Sequence, residues 1–128
     1  MKLSIIILSA LTMIACDKSA NNNPQRETPP EVKVDLVMAQ AIFNERCAAC
    51  HGVNGDGKGA ASAALNPKPR NYHDAAWQAS VTDEQIKKVI VYGGAAVGKS
   101  PIMPGSPDLD SKPEVVEGLV NIIRQFGK

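Results

Sequence analysis

The spacing of three side chains most constrains how this chain can fold: Cys47 and Cys50 lie three positions apart, and His51 follows directly. One turn of chain therefore presents two sulfurs and an imidazole together. The chain's third cysteine, Cys16, lies far from this pair at the end of an apolar run. Because the number of cysteines is odd, a simple disulfide framework is disfavoured, and the pair needs another explanation.

The first 15 residues have the pattern of an export signal. Lys2 gives a positive start, and the apolar stretch 3–15 follows it. That stretch is too short to span a bilayer, which needs about 20 residues, but it fits a secretory signal peptide. Met13-Ile14-Ala15-Cys16 resembles a bacterial lipobox, which implies lipidation of Cys16 after cleavage. An ordinary signal peptide that ends in an incidental cysteine is the alternative.

Residues 16–34 are expected to form a linker between the lipidated cysteine and a globular domain. Asn, Pro, Ser, Thr and charged residues dominate 17–33, and such a segment buries too little apolar surface to offset its chain entropy. A flexible tether of this length reaches about 20–25 Å on average. It would hold a small domain near membrane-bound partners, although a frayed terminus without a task is the alternative.

Composition argues for one small domain, at 35–128, with a thin core. The chain has 14 Lys and Arg against 13 Asp and Glu, so there is no basic excess to bind a nucleic-acid backbone. The aromatic residues are only two Phe, two Tyr and one Trp. A cofactor, metal or disulfide is therefore expected to supplement the buried apolar surface.

Helical signals predict an all-α domain with long loops. Asp35 is a candidate N-cap for a first helix that runs straight into the cysteine pair. Thr82 and Gln85 form a capping-box pattern for another helix, which Gly93 ends. A last helix opens at Pro113 or the next residue, and the glycine-rich segment 52–59 is a loop. Loops of this length in a small domain need an organiser, such as a buried cofactor.

Four chemistries are compatible with the cysteine pair. Two cysteines followed at once by a histidine are the attachment signature of c-type haem: each thiol adds to one vinyl group, and the histidine binds the iron. Zinc needs four ligands, which Cys47, Cys50, His51 and His73 supply at a spacing unlike any standard finger. A thioredoxin-like pair lacks its βαβ context, and a disulfide is possible in an exported protein. Export also suits bacterial haem attachment, so we favour haem.

Four segments, in this order, resemble class I cytochromes c of the small bacterial kind. They are Cys47-Ala48-Ala49-Cys50-His51-Gly52, Gly55-Asp56-Gly57-Lys58-Gly59, Pro67-Lys68-Pro69-Arg70-Asn71-Tyr72 and Pro101-Ile102-Met103-Pro104. The resemblance covers about 36–126. It implies one covalent haem c and a first helix that crosses the last, with Ala39 and Phe43 on Leu119 and Ile122. Because Ala39 stands where many relatives have glycine, the crossing is expected to be slightly wide.

The mature chain offers two methionines for the sixth iron ligand. Met103 lies in a loop that Pro101 and Pro104 stiffen, which favours it as the axial ligand opposite the histidine. Met38 is assigned to core filling, and His73 is the runner-up ligand. Ligation by Met and His stabilises ferrous iron and fills both axial positions, which predicts electron transfer and no catalysis.

Three further residues are candidates for supporting roles. The resemblance implies that a proline carbonyl accepts a hydrogen bond from the axial histidine, and we expect Pro69 in preference to Pro67. Arg70 and Trp77 are candidates for contacts with the haem propionates, through charge and the indole N–H. Ordinary surface or core packing is the alternative for both.

These features favour a non-enzymatic, monomeric single-electron carrier. It would be held by lipid on the periplasmic side of a bacterial membrane, preferably the inner one. Its partners would be redox proteins of a respiratory or related electron-transfer chain. Two alternatives remain open: a haem enzyme or gas- or peroxide-reactive protein with an open sixth site, and a haem subunit of a larger oxidoreductase. The enzyme alternative has little support, because the sequence shows neither a second haem motif nor a distal acid–base group.

Overall fold

The computed structural model describes residues 33–128, and every regular element within them is helical. The elements are α1 (Leu36–Ile42), a π-helical turn (Phe43–Cys47), α2 (Ala48–His51), α3 (Ala75–Ser80), α4 (Asp83–Tyr92) and α5 (Pro113–Gln125), with 3₁₀ turns at Ser62–Ala64, Ala95–Val97 and Pro107–Leu109. The predicted all-α class is confirmed. None of these helices is long and apolar enough to cross a membrane. The predicted signal peptide, Cys16 and most of the linker lie outside the described residues.

The capping signals in the sequence mark the helix ends correctly. The Met38 N–H donates to the Asp35 carboxylate (2.9 Å) at the start of α1. At the start of α4, the Gln85 N–H donates to the Thr82 hydroxyl (3.2 Å), and the Thr82 N–H donates to the Gln85 side chain (2.9 Å). These bonds satisfy N–H groups that have no partner within the helix. Gly93, with a φ of 80°, ends α4.

Helix α3 has no counterpart in the sequence prediction. Its N-cap is Asp74, whose carboxylate accepts from the Trp77 N–H (3.1 Å). Six residues are too few to develop an apolar stripe, so an acidic cap was the one local signal available. The helix matters because it brings Trp77 against the main core.

The predicted first helix does run into the cysteine pair, but its α-helical hydrogen bonding is interrupted by the π-helical turn. The Ala48 N–H donates to the Phe43 carbonyl, five residues back. This π-helical turn inserts one residue, which rotates everything after it by about 100° relative to an ideal α-helix. Phe43, at the start of the turn, is buried, and Cys47, at its end, lines a neighbouring cavity to which Phe43 also contributes. Hydrophobic periodicity carries no signal for such an insertion.

Helices α1 and α5 pack against each other, as the family resemblance implies, and they approach closely at one glycine. A Cβ on Gly118 would lie 2.6 Å from the Ala39 Cβ and 2.7 Å from the Asp35 carbonyl oxygen. The glycine that permits close approach is therefore supplied by α5, not by α1. The Asp35 N–H also donates to the Glu114 carbonyl (3.0 Å), which fixes the beginning of α1 on α5.

One buried cluster joins these helices to α4. It contains the four residues expected at the crossing, further apolar residues of α1 and α5, and the apolar face of α4: Ala39, Ile42, Phe43, Ile86, Ile90, Val91, Val115, Val116, Leu119, Val120, Ile122 and Ile123. An ion pair between Lys87 and Glu117 (2.6 Å) lies beside it, where α4 packs on α5. The core is therefore a three-helix contact, and the long loops close the remaining side around a cavity.

Candidate cofactor site

A cavity of about 730 Å³ lies between the helical core and the loops. Cys47, Cys50, His51 and Met103 all line it, although more than fifty positions separate Met103 from the cysteine pair. Most of the remaining wall is apolar and includes Ile42, Phe43, Ile86, Ile90, Leu119 and Ile123. Two thiols, an imidazole and a thioether around a large apolar space match the groups that hold a c-type haem.

The glycine-rich loop wraps the end of α2 that carries the cysteine pair. The N–H groups of Gly57, Gly59 and Ala61 donate to the last three carbonyls of α2 (2.8, 3.1 and 2.8 Å). These carbonyls have no partner within so short a helix. Gly59 must be glycine here, because a Cβ would overlap the Ala48 and Ala49 carbonyl oxygens. The loop therefore fixes the orientation of the segment that presents Cys50 and His51.

His51 is 8% exposed, and one ring nitrogen already has a protein partner. Its Nδ1 lies 3.1 Å from the Arg70 carbonyl oxygen. Because a carbonyl can only accept, Nδ1 carries the proton and Nε2 retains the lone pair that a metal ligand needs. Burial lowers the pKa of His51, against an opposing effect of the Arg70 carbonyl. The imidazole is thus neutral and oriented for coordination through Nε2.

The carbonyl that faces His51 belongs to Arg70, which corrects the expectation for Pro69. The Pro69 carbonyl oxygen lies beside Gly57 instead, where a Cβ would come within 2.7 Å of it. Close contact with the glycine loop thus fixes Pro69, and the next carbonyl along the chain is the one near His51. Pro69 still lines the cavity, as does Pro67.

Tyr72 supports His51 from one face, a role that the sequence did not indicate. Its ring stacks on the imidazole with centroids 4.7 Å apart and planes 10° apart. Tyr72 is buried and also packs against Trp77 (5.6 Å) and Phe126 (6.2 Å). The Gln78 side chain donates to the Tyr72 carbonyl (2.8 Å), which ties this support to α3. Tyr72 ends one of the four segments that resemble cytochromes c, but its contact with His51 is evident only in the tertiary structure.

The two cysteines are half-buried and unpaired. Burial raises the pKa of Cys47 to about 11, although Arg46 opposes the shift. A thioredoxin-like pair would need a βαβ context, and every regular element within residues 33–128 is helical. Within residues 33–128, no group of three or more His, Cys, Asp or Glu side chains is arranged to hold a metal ion. The geometry therefore gives the zinc alternative no support.

The other candidate ligands lie away from the cavity. His73 is exposed, and its Nε2 lies 2.7 Å from the Asn54 carbonyl oxygen. Met38 is 47% exposed, so its assignment to core filling is wrong. It faces outward because the inner side of α1 is taken by Ala39 and Ile42. Met103 is consequently the one methionine of the described chain that lines the cavity.

Arg70 and Trp77 meet at the wall of the cavity. The Arg70 guanidinium carbon lies 5.7 Å from the Trp77 ring centroid, within the range of a cation–π contact. Arg70 also pairs with Asp74 (3.4 Å). The structure thus brings these two predicted residues together beside the cofactor space, and their contacts with propionates stay a prediction.

Further cations at the cavity were not singled out from the sequence. Together with Arg70, the basic residues that line it are Arg46, Lys68, Lys88 and Lys99. No Asp or Glu within residues 33–128 is among its lining residues. The chain as a whole is nearly balanced in charge, so this local excess arises from folding.

Comparison with known proteins agrees with the geometry. The family model for cytochrome c matches residues 37–125, which covers the cysteine pair, the cavity and the crossing helices. No individual curated protein shows significant similarity to the chain. The family binds covalent c-type haem, and Cys47, Cys50 and His51 have the spacing for it. This chain belongs to the cytochrome c family, whose haem serves electron transfer.

Proposed function

We propose that this chain is a class I, monohaem cytochrome that carries single electrons, with His51 and Met103 as the axial ligands. One observation carries the proposal: His51 and Met103, from distant parts of the chain, line the same cavity as Cys47 and Cys50. The bound haem would supply reversible one-electron reduction of its iron. With both axial positions occupied by protein side chains, no site remains for a substrate, so we propose no enzymatic activity.

The side chains around the haem have separate tasks in this proposal. The Arg70 carbonyl and the Tyr72 ring hold the imidazole of His51 in one tautomer and one orientation. The apolar wall excludes water and lowers the local dielectric constant, which together with a thioether ligand favours the ferrous state. Arg70 and Trp77 are proposed to bind the propionates, since both lie on the wall.

The sixth ligand is tested by carbon monoxide binding. The full chain, matured with haem, is reduced and exposed to carbon monoxide while its visible spectrum is recorded. We expect no adduct with the unaltered protein and prompt adduct formation after Met103→Ala. His73→Ala is the matched control and should behave as the unaltered protein, because His73 lies outside the cavity. An adduct with the unaltered protein would instead favour an open sixth site.

We further propose that lipid on Cys16 anchors the protein to the periplasmic side of a bacterial membrane, preferably the inner one. The support comes from the sequence alone: the lipobox-like segment 13–16 and the polar linker after it. Replacing Cys16 with Ser should move the protein from the membrane fraction to the soluble periplasmic fraction, with its haem spectrum unchanged. Retention of the Cys16→Ser protein on membranes would refute the anchor.

The basic side chains around the cavity support a proposal about partners. Lys88 and Lys99 line the cavity and form no ion pair within the described residues, whereas Arg46 and Arg70 are paired. We propose that redox partners, of a respiratory or related chain, dock here through an acidic surface. Electron transfer to an acidic partner should slow with rising ionic strength. Lys88→Glu should reduce both the rate and its salt dependence, while Lys128→Glu, away from the cavity, should change neither.

A further inference from the structure

The loop that carries Met103 lies directly on the C-terminal end of α4. The Gly94 N–H donates to the Met103 carbonyl (3.0 Å), and the Ser106 N–H donates to the Ile90 carbonyl (2.9 Å). The loop is also closed on itself, because the Lys99 N–H donates to the Gly94 carbonyl (2.8 Å). The backbone of Met103 is thus bonded to a helix end and is not free to drift with the loop.

Three glycines lie at or beside this contact, and at each of them backbone atoms leave no room for a Cβ. A Cβ on Gly93 would lie 2.8 Å from the Gly105 nitrogen and 3.0 Å from the Met103 carbonyl oxygen. A Cβ on Gly105 would lie 2.7 Å from the Gly93 nitrogen, and one on Gly94 would overlap the Ser100 carbonyl oxygen. All these neighbours are backbone atoms, which cannot rotate away as a side chain can. We call Gly93, Gly94 and Gly105 the glycine clasp.

We propose that the glycine clasp positions Met103 for ligation and decides how firmly this ligand holds the sixth site. The inference rests on the proposed role of Met103 as axial ligand. A thioether is a neutral, weak ligand, so a small displacement of its backbone is enough to lose it. The clasp opposes such displacement by fixing the Met103 carbonyl on α4, whose residues Ile86 and Ile90 belong to the buried core.

Gly94→Ala tests the clasp without a conformational penalty. Gly94 has φ −63° and ψ −41°, a backbone conformation that alanine adopts freely, so the only new effect is the overlap with Ser100. Gly98→Asn is the matched control in the same loop. Gly98 has φ 69° with no atom within 4 Å of an added Cβ, and asparagine tolerates this left-handed conformation.

The experiment uses the full chain loaded with haem and has three readouts: the sulfur-to-iron charge-transfer band of the ferric protein, carbon monoxide binding to the ferrous protein, and helical circular dichroism. For Gly94→Ala we expect a weakened band and carbon monoxide binding enhanced by about tenfold or more, equivalent to about 1.4 kcal/mol, with helicity retained. Gly98→Asn should match the unaltered protein. A Gly94→Ala protein that keeps its band and excludes carbon monoxide would overturn the inference.

The outcomes separate this inference from the proposed function. If the unaltered protein lacks the band, Met103 is not the ligand and both fail. If Met103→Ala abolishes the band but Gly94→Ala preserves it, the clasp alone fails. Should Gly94→Ala not mature, denaturant titration of the unaltered protein serves instead: the clasp predicts that the band and the helical signal are lost together. Loss of the band well before the helices unfold would overturn the inference.

Discussion

Tyr72 illustrates, at the scale of one residue, how packing alone can hold the imidazole of His51 in place. Its ring covers one face of His51, while its backbone is bonded on both sides: its N–H donates to the Gly55 carbonyl (2.7 Å), and its carbonyl accepts from Gln78. Burial raises the pKa of the Tyr72 hydroxyl far above its ordinary value, so this side chain stays neutral. Its contribution is therefore packing.

Replacing Tyr72 separates ring packing from the hydroxyl. Tyr72→Ala removes the ring between His51 and Phe126 and should lower the free energy of unfolding by about 3–5 kcal/mol. Tyr72→Phe keeps the ring and should cost less than about 1.5 kcal/mol. Denaturant unfolding of the haem-loaded proteins measures both. Equal losses for the two variants would assign the effect to the hydroxyl instead.

An exposed ion pair predicts a specific dependence on pH. The Arg46 guanidinium, 2.9 and 3.0 Å from the two Asp108 oxygens, lowers the pKa of that carboxyl through its hydrogen bond. Because the folded pKa lies below the unfolded value of about 3.9, the stabilisation is present at neutral pH and is lost as pH falls through the folded pKa. Asp108→Asn should therefore be less stable than the unaltered protein at pH 7, with the gap closing in strong acid.

Arg46→Gln provides the matched control for this pair. Arg46→Gln should be less stable than the unaltered protein, with the same pH dependence as Asp108→Asn. The double variant should lose little more stability than either single variant. Thermal unfolding across a pH series is the measurement. A gap that persists unchanged below the folded pKa of Asp108 would contradict the electrostatic origin.

At the scale of elements, the close crossing of α1 and α5 sets the frame on which the site is built. Gly118 of α5 faces Ala39 of α1, and the π-helical turn that follows α1 redirects the chain toward the cavity. The close crossing depends on the Cβ that Gly118 lacks, and the change of direction depends on the one residue that the π-helical turn inserts. The crossing holds α1 close to α5, and the turn then aims Cys47 into the cavity.

Gly118→Ala should destabilise the protein although alanine favours a helix. The change gains about 1 kcal/mol in helix propensity but forces a Cβ into contact with Ala39 and the Asp35 carbonyl, and overpacking costs about 1–3 kcal/mol. We expect a net loss in denaturant unfolding, partly recovered when Ala39→Gly is added. Gln125→Ala, at an exposed position of the same helix, is the control. A Gly118→Ala protein more stable than the unaltered one would contradict the close crossing.

At the scale of the whole molecule, Arg124 joins α5 to the junction between α3 and α4. Its Nε donates to Asp83 (2.8 Å), one terminal nitrogen donates to the Gln78 carbonyl and side chain (2.8 Å each), and the other donates to the Val81 carbonyl (2.7 Å). Gln78 in turn donates to the carbonyls of Tyr72 and Ile123 (2.8 and 2.9 Å). This network connects the last helix to the segment that supports His51.

Arg124→Lys tests this network while keeping the charge. An ammonium group cannot reproduce the planar set of donors, so several partners lose their bonds. We expect a loss of about 1–3 kcal/mol in the free energy of unfolding. Lys128→Met, which removes a positive charge at the exposed end of the chain, should have little effect. Equal stability of Arg124→Lys and the unaltered protein would show that charge alone suffices.

The sequence by itself determined the helical class, the starts of α1 and α4 and the end of α4, because each depends on neighbours within a few positions. Asp35, Thr82 and Gly93 act on adjacent backbone groups, and the chemistry of Cys47, Cys50 and His51 is fixed by their spacing. These features need no knowledge of the rest of the chain. The sequence also predicted Met103 as a ligand, because Pro101 and Pro104 flank it. That Met103 lines the same cavity as His51 is evident only from the structure.

Only the tertiary structure decided which groups meet across distant segments. The choice of the Arg70 carbonyl over that of Pro69 depends on how the loop lies against Gly57. The stack of Tyr72 on His51, the pairing of Gly118 with Ala39 and the outward position of Met38 arise in the same way. Close packing permits one arrangement of such contacts, and that arrangement depends on the whole chain, which no local pattern encodes.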